Sequence, residues 1–439
     1  MLPSHRPPAE AVVTGAEAPR APVAEAPRPP VGLYLHVPFC VYLCPYCDFV
    51  VYTGNATRGP GARVEAIVRA VHVELDLRAD ALEAGFGSPG SAGRPALDSV
   101  YLGGGTPSLL AATDVAAVLK RIERRYGLAT GAEVTIEVNP GPDERGYLAG
   151  LRAAGVTRVS VGAQSFDAAE LRRIGRRHRP VDIAETVEAA RRAGITHRSV
   201  DLLYDLPGQS MATWQATLAR ALDLPIDHVS AYALTLDDPD AAGLTGSSGD
   251  HLPVRAGAAR WRRDATKQQD DDRAVDQYLW LDEVLQRAGF TWYEISNWAR
   301  PDGESRHNQA YWRRQATVGV GPGAHGFDGG RRRTWNAARL DGYLAALLPA
   351  EADRGGADRA QLPPGGLDML DDDAIQLEAV SLALRTREGL ARDEVSGAGR
   401  AELKAARRAG LVEPNGPDRI RLTARGRLLA GSLAVALAP

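Results

Sequence analysis

Three cysteines, the full complement of this 439-residue chain, lie in the single stretch CVYLCPYCDF. Cys40, Cys44 and Cys47 are spaced Cys-x3-Cys-x2-Cys directly after a short apolar segment. An odd number of thiols packed this closely makes a poor disulfide framework and favours metal binding or catalysis. Thiolate ligands are typical of zinc and of iron–sulfur clusters. The sequence therefore predicts a metal centre on this loop.

Two kinds of metal centre fit the cysteines. A structural zinc ion prefers four tetrahedral ligands, and His36 is the candidate for the fourth. A [4Fe–4S] cluster held by three cysteines instead leaves one iron free, and the amino and carboxylate groups of S-adenosylmethionine can chelate it. One electron from the cluster would then cleave the sulfonium S–C5′ bond, so that the cofactor does the difficult chemistry.

The elements that position this loop follow a β-then-α pattern, which indicates a parallel sheet. Polar groups follow four of the predicted strands at their carboxyl ends, which favours a TIM-like (βα)6 barrel, partial or full, over a doubly wound sheet. The six predicted strands are Val31–Val37, Ser99–Leu102, Val134–Val138, Arg158–Gly162, Ser199–Tyr204 and His228–Leu234.

Further motifs occur in order along the chain. They are LYLHVPFC, CPYCDF, YLGGGTPS, EVNP, VGAQSF, GRRH, DLLYDLPGQ, YEISNWA, HNQAYW and GPGAH. With the cysteine spacing, which matches the radical SAM signature, they resemble the anaerobic coproporphyrinogen III oxidase family, and within it the HemW branch of heme chaperones. The resemblance runs from about residue 31 to the carboxyl terminus, excluding about 240–270.

The resemblance implies roles for residues near the cysteines. Tyr34 is expected to contact the S-adenosylmethionine site, and Tyr46 to stack on the adenine. Gly104, Gly105 and Thr106 match the glycine run that holds the methionine end of this cofactor. Glycine allows the backbone to approach a ligand closely.

Four polar residues complete the implied cofactor site. Glu137 and Asp201 are expected to accept hydrogen bonds from ribose hydroxyls or to face the sulfonium end, and Gln164 to bond the ribose or the amino-acid end. Arg176 is expected to pair with the cofactor carboxylate, although its setting in RRIGRRHR is also typical of a solvated basic face.

The sequence separates the chaperone branch from the oxidase branch. The oxidase branch is expected to carry a fourth cysteine two positions after the third, where this chain has Phe49. The leader also differs from the substrate-binding leader of that branch. The chain thus resembles coproporphyrinogen III dehydrogenase but is expected to lack its activity.

The hexapeptide His307–Trp312 matches the His-Asn-x-x-Tyr-Trp pattern that the resemblance associates with heme. A neutral imidazole is a good axial ligand, so His307 is the expected ligand, with Tyr311 and Trp312 covering the macrocycle. His325 is a second ligand candidate. The function expected is a heme chaperone with a [4Fe–4S] cluster, S-adenosylmethionine and heme; an oxygen-independent coproporphyrinogen III oxidase and a zinc-stabilised interaction module are the alternatives.

Composition and patterning set the remaining expectations. A net charge of −3 gives no basic field for nucleic acid. The expected partners are heme and heme-receiving proteins, including respiratory enzymes at the membrane, and a second copy of the chain. Without an apolar signal segment the cytoplasm is the expected location. The expected domains are a disordered leader (1–30), a barrel core (31–236), a polar loop (237–273), an aromatic-rich extension (274–352) and a winged-helix-like domain (365–439).

Overall fold

The computed structural model of the protein describes residues 26–58, 61–236, 245–349 and 360–438. Within these ranges, twelve strands form one sheet, and seven neighbouring strands of it run parallel. Six of them are β1 (Gly32–Val37), β2 (Leu97–Gly104), β3 (Leu128–Val138), β4 (Arg158–Gln164), β5 (His197–Tyr204) and β6 (His228–Ala233), and the seventh, Thr317–Val320, lies beside β1. All six strands predicted from the sequence are therefore present.

The sheet extends beyond these six strands and does not close on itself. Its order is β12-β11-β10-β9-β1-β2-β3-β4-β5-β6-β8-β7, so β12 and β7 are its edges in the described part of the chain. The added strands are β7 (Thr291–Glu294), β8 (Asn297–Ala299), β9 (Thr317–Val320), β10 (His325–Phe327), β11 (Arg332–Asn336) and β12 (Gly365–Met369). The fold is a partial TIM-like barrel with a carboxyl-terminal extension.

Helices follow the parallel strands, as the βα pattern requires. Ile183, Val187 and Ala190 are buried on one face of the helix Pro180–Arg192, as their helical spacing predicts. The helices of the barrel and the extension are α1 (Val64–Phe86), α2 (Ala112–Tyr126), α3 (Leu148–Ala153), α4 (Ala168–Arg173), α5 (Pro180–Arg192), α6 (Met211–Leu222), α7 (Ala256–Thr266), α8 (Asp271–Arg287), α9 (Arg306–Trp312) and α10 (Leu340–Leu347). None of the helices in the described ranges is both long and apolar enough to cross a membrane.

The polar stretch 237–273 differs from the expected loop. Residues 237–244 lie outside the described residues, but α7 occupies much of the rest and α8 begins at Asp271. The buried face of α7 carries Arg262 and Ala265. A hydrophobic periodicity could not reveal this helix, because an arginine holds one of its buried positions.

The leader is also partly described. Positions 1–25 of the predicted disordered segment lie outside the described residues. The Arg28 N–H donates to the Asp328 carbonyl at 2.8 Å, and the Val31 N–H donates to the Ala316 carbonyl at 3.0 Å. The end of the leader and the first residue of the barrel core are therefore hydrogen-bonded to the extension.

A small carboxyl-terminal domain has its own hydrophobic core, which includes Val380, Leu390 and Leu422. Its helix–strand–helix–hairpin order is that of a winged-helix-like fold. Its elements are α11 (Asp372–Leu384), β13 (Leu390–Ala391), α12 (Gly399–Arg408), β14 (Val412–Asn415), β15 (Arg419–Leu422), α13 (Ala424–Arg427) and α14 (Ala430–Leu437). Because β12 pairs with β11 in the large sheet, the domain begins at Asp372 rather than at the expected residue 365.

A buried arginine joins this domain to the barrel. Arg427 on α13 pairs with Asp282 on α8 at 2.5 Å, and both side chains are almost fully buried. The guanidinium also lies 4.3 Å from the centre of the Trp292 ring. Asp282 further accepts a hydrogen bond from the Trp298 indole.

Replacing Arg427 with methionine should lower the free energy of unfolding by about 3 kcal/mol, because Asp282 would stay buried without its cation. Urea denaturation measures the change. Arg425→Met, an exposed change on the same helix, is the control. The double variant Arg427→Met/Asp282→Asn should recover part of the loss; equal stability of Arg427→Met and Arg425→Met would refute this account of the contact.

Candidate functional site

The cysteines lie on a loop that is closed at its base by backbone hydrogen bonds. The Tyr52 N–H donates to the Pro38 carbonyl at 2.7 Å, and the Cys40 N–H donates to the Tyr52 carbonyl at 3.1 Å. Inside the loop, the Cys47 N–H donates to the Cys44 carbonyl. These bonds hold all three thiols at the carboxyl end of β1.

The glycine turn after β2 packs directly against this loop. The Gly105 N–H donates to the Val37 carbonyl at 2.9 Å, and the Thr106 N–H donates to the Phe39 carbonyl at 2.6 Å. A Cβ atom at Gly105 would lie 2.5 Å from the Phe39 carbonyl oxygen. Gly104, with a φ of +105°, has its N–H bonded to Glu137 at 2.8 Å. These three N–H groups are therefore donated within the protein rather than to a ligand.

The carboxyl ends of the strands surround a cavity of about 430 Å³. It brings together ten of the residues named from the sequence, while Tyr34 and Thr106 are not in its wall. The ten are Cys40, Cys44, Tyr46, Cys47, Gly104, Gly105, Glu137, Gln164, Arg176 and Asp201. Gln164 has a φ of +66°, a conformation that costs energy for a residue other than glycine.

A hydrogen-bonded network supports two of the thiols. The Cys40 sulfur lies 3.1 Å from the Thr106 hydroxyl, and Arg176 Nη1 lies 3.8 Å from the Cys44 sulfur. Asn139 joins the two contacts, because its amide donates to Thr106 at 2.8 Å and accepts from Arg176 at 2.7 Å. Asn139 was not among the residues selected from the sequence, although its place after β3 in EVNP was a usable signal.

Burial raises the pKa of the Cys40 and Cys47 thiols to about 12. Iron binding must therefore displace protons from these sulfurs, and metal binding couples to proton release in this way. Three thiols on one loop, with polar partners behind two of them, fit a cluster ligated through three cysteines.

The zinc alternative does not fit the position of His36. Its Nδ1 lies 2.9 Å from the Tyr34 hydroxyl and its Nε2 lies 2.9 Å from the Val50 carbonyl. Both ring nitrogens are thus occupied, and burial lowers the pKa of His36 to about 4. In the described residues, no three His, Cys, Asp or Glu side chains converge as ligands of a single ion. A cubane spreads its ligands over separate irons and does not need that convergence.

Two carboxylates face the cavity from neighbouring parts of the sheet. Glu137 accepts from the Tyr101 hydroxyl at 3.0 Å, and Asp201 accepts from the Ser160 hydroxyl at 2.9 Å. Burial raises the pKa of Glu137 to about 7 and that of Asp201 to about 6. Both groups are therefore costly to ionise, and a cationic ligand would offset that cost.

The His-Asn-x-x-Tyr-Trp motif forms α9, away from the cysteines. His307 is 1% exposed, with Nδ1 at 2.9 Å from the Ser99 hydroxyl and Nε2 at 2.9 Å from the Tyr311 hydroxyl. Burial lowers its pKa to about 3. Its ring centre lies 5.3 Å from that of Tyr101, which bonds Glu137. The motif therefore contacts the wall of the cofactor cavity through Tyr101.

The other heme candidates lie at more open places. Tyr311 is 41% exposed, and Trp312 lines a second cavity of about 330 Å³ between α9 and the carboxyl-terminal domain. The Trp312 indole nitrogen is buried and has no hydrogen-bond partner in the described residues. His325 is largely exposed, with Nε2 at 3.1 Å from Asp250.

Asp201 should make the stability of the ligand-free protein depend on pH. Its folded pKa lies above its usual value, so the folded state keeps a proton that the unfolded chain loses between about pH 4 and 6. Stability should fall as pH rises through that window and stay lower above it. Asp201→Asn should therefore stabilise the protein by about 2 kcal/mol at pH 8 and by little at pH 4.

Denaturant unfolding at the two pH values measures this difference. Asp98→Asn, an exposed change on β2, is the control and should have no pH-dependent effect. An Asp201→Asn variant that is less stable than the parent at pH 8 would contradict the prediction.

Comparisons with known proteins support a metal centre at the cysteine loop. The sequence profile of the Radical SAM superfamily matches residues 34–221. The heme chaperone HemW of Mycobacterium tuberculosis is 38% identical over 402 residues, which cover 92% of this chain and 93% of that protein. The heme chaperone HemW of Escherichia coli is 35% identical over 294 residues, covering 67% of this chain and 69% of that protein.

A solved structure supports the fold. Coproporphyrinogen III oxidase (HemN) from Escherichia coli, described as a radical SAM enzyme, superimposes with a TM-score of 0.71 and covers 95% of this chain and 92% of its own. At 23% identity this likeness concerns the fold alone. Radical SAM membership implies a [4Fe–4S] cluster and S-adenosylmethionine, and the cysteine loop and its cavity fit both. The chain belongs to the HemW family of radical SAM proteins.

Proposed function

We propose that this protein is a heme chaperone, which binds heme and transfers it to heme-requiring proteins. The observation that carries the proposal is the relationship to heme chaperone HemW across 92% of the chain. Phe49 supports it, because this residue stands where the oxidase branch is expected to have a fourth cysteine, and its side chain is 62% exposed.

The cavity beside the cysteine loop can hold a ligand that carries both a positive and a negative charge. Cys40, Cys44 and Cys47 would ligate three irons of the cluster, and the fourth would be free for the methionine end of S-adenosylmethionine. When bound, the cluster supplies the electron that cleaves the sulfonium S–C5′ bond. Glu137 and Asp201 are placed to stabilise a cationic sulfonium, and both line the cavity.

Further residues would orient the same ligand. Tyr46 also lines the cavity and packs beside the apolar cluster of Leu203 and Leu234, as an adenine-stacking ring requires. Arg176 already donates to Asn139 and to the Gly162 carbonyl at 2.7 Å. It would therefore attract the ligand carboxylate mainly through its charge.

Heme binding is assigned to α9. Tyr311 is exposed, and Trp312 lines the second cavity together with Arg313 and Arg387, whose guanidinium groups suit propionates. His307 would become the axial ligand only after it leaves Ser99 and Tyr311. Breaking these two hydrogen bonds costs on the order of 1 kcal/mol each. Heme binding thus includes a local rearrangement of α9.

The contact between His307 and Tyr101 gives the cluster site a regulatory role in this proposal. Tyr101 touches His307 on one side and donates to Glu137 on the other. Movement of His307 toward heme would free the face of Tyr101, so heme occupancy and S-adenosylmethionine binding would affect each other. The heme-receiving proteins would include respiratory enzymes at the membrane, and the working form would include a homodimer.

Replacing His307 with alanine should weaken heme binding by about tenfold or more, equivalent to about 1.4 kcal/mol. Anaerobic heme titration, followed by absorbance, measures the affinity. His72→Ala on the outer helix α1 is the control. If His307 is the axial ligand, added imidazole should restore the parent spectrum in His307→Ala. Unchanged heme affinity in that variant would refute the site assignment.

A second experiment separates the chaperone from an oxygen-independent coproporphyrinogen III oxidase. The anaerobically purified protein should contain iron and sulfide and should pass bound heme to an apo-hemoprotein. With reductant and S-adenosylmethionine it should not convert coproporphyrinogen III. Formation of protoporphyrinogen would favour the oxidase, and a colourless protein without sulfide would favour the zinc-stabilised module.

A further inference from the structure

An arginine from the polar stretch contacts the cysteine loop from outside the barrel. Arg262 lies on α7, and its side chain is only 8% exposed. We propose that Arg262 is a positioning residue for the cluster: it fixes the segment between the second and third cysteines and so sets the retention and the reduction potential of the iron–sulfur centre. The inference rests on the cluster and is independent of heme transfer.

Arg262 binds three successive parts of the loop with one guanidinium. Its Nε donates to the Pro45 carbonyl at 3.1 Å and its Nη2 donates to the Cys47 carbonyl at 3.1 Å. Nη2 also forms an ion pair with the carboxylate of Asp48. The two carbonyls belong to a ligand cysteine and to a residue between two ligands. A planar, multiply donating guanidinium fixes such a geometry better than a single ammonium can.

Helix α7 is held against the barrel by contacts of its own, and these contacts also hold Arg262 in position. The Trp261 indole donates to the Arg173 carbonyl at 3.0 Å. Its ring packs on an apolar cluster with Tyr46, Leu206 and Leu234. Tyr46 is the residue directly before Cys47, so the loop and α7 pack against the same apolar cluster in addition to the polar contacts of Arg262. Helix α7 therefore restrains the part of the loop that carries the third cysteine.

Two further arginines contact the loop on its other side. Arg176 lies 3.8 Å from the Cys44 sulfur, and the Arg177 guanidinium lies 3.5 Å from the centre of the Tyr42 ring. A cluster ligated by three thiolates carries net negative charge, and nearby cations favour its reduced form. Potentials of such clusters depend on nearby charge, hydrogen bonding and solvent exposure. Arg262 adds a positive charge on the side of the loop that faces α7, and it shields that side from solvent.

The test compares Arg262→Gln with Arg263→Gln, which makes the same chemical change at the next, exposed position of α7. Both full-length proteins are reconstituted anaerobically with iron and sulfide. Cluster absorbance is then followed after exposure to air, and the midpoint potential is measured by redox titration. Arg262→Gln should lose its cluster faster, by about tenfold, because removing a hydrogen-bond partner of a metal-ligating residue weakens metal binding by about that factor or more. Its potential should shift downward, while Arg263→Gln should match the parent.

The possible outcomes decide the proposal. Parent-like retention and potential in Arg262→Gln would overturn it. If Arg262→Gln does not fold, as judged by its thermal transition without iron, Arg262→Lys replaces it. This variant keeps the charge but cannot bridge three acceptors, so it should keep a parent-like potential and still lose its cluster faster. Parent-like retention in Arg262→Lys would overturn the proposal. Heme affinity is measured in the same preparations. It tests the heme proposal separately, and Arg263→Gln should leave it unchanged.

Discussion

The site depends on a close backbone contact between the end of β1 and the turn after β2. Gly105 and Thr106 donate their N–H groups to the carbonyls of Val37 and Phe39, and no side chain fits between the two segments. This contact fixes the cysteine loop relative to the sheet and sets Thr106 beside Cys40. The glycine turn therefore allows this close backbone contact, and the same glycines line the ligand cavity.

The cavity that this contact creates is lined by charges of both signs. Arginines 176 and 177 lie beside the cysteine loop, whereas the carboxylates of Glu137 and Asp201 lie on the strands. In a cavity of low effective dielectric, such an arrangement orients a ligand that has a carboxylate at one end and a cation further along. Burial raises the pKa values of these two carboxylates, and a ligand cation would offset the cost of ionising them.

The sequence predicted the framework of the molecule better than its contacts. The parallel strands, the cysteine loop and the polar rim followed from local patterns, because short apolar runs and strand-end chemistry are local properties. The burial of His307 against Ser99 was not predictable, since the two residues come from distant parts of the chain. The role of Arg262 was hidden because a buried arginine on a polar helix looks like a surface residue. Asn139 was visible in EVNP, but only the fold placed it between Thr106 and Arg176.

The pairing of β9 with β1 has a consequence for biosynthesis. Gly32 lies opposite Thr317, so the strand that carries the cysteine loop meets this neighbour only after about 285 more residues have been made. At typical synthesis rates of about 5–20 residues per second, that delay lasts roughly 15–60 s. During this interval the nascent thiols lack one side of their sheet. The strand that carries the cysteine loop is therefore held on both sides only after residues 317–320 have been made and the long-range pairing has formed.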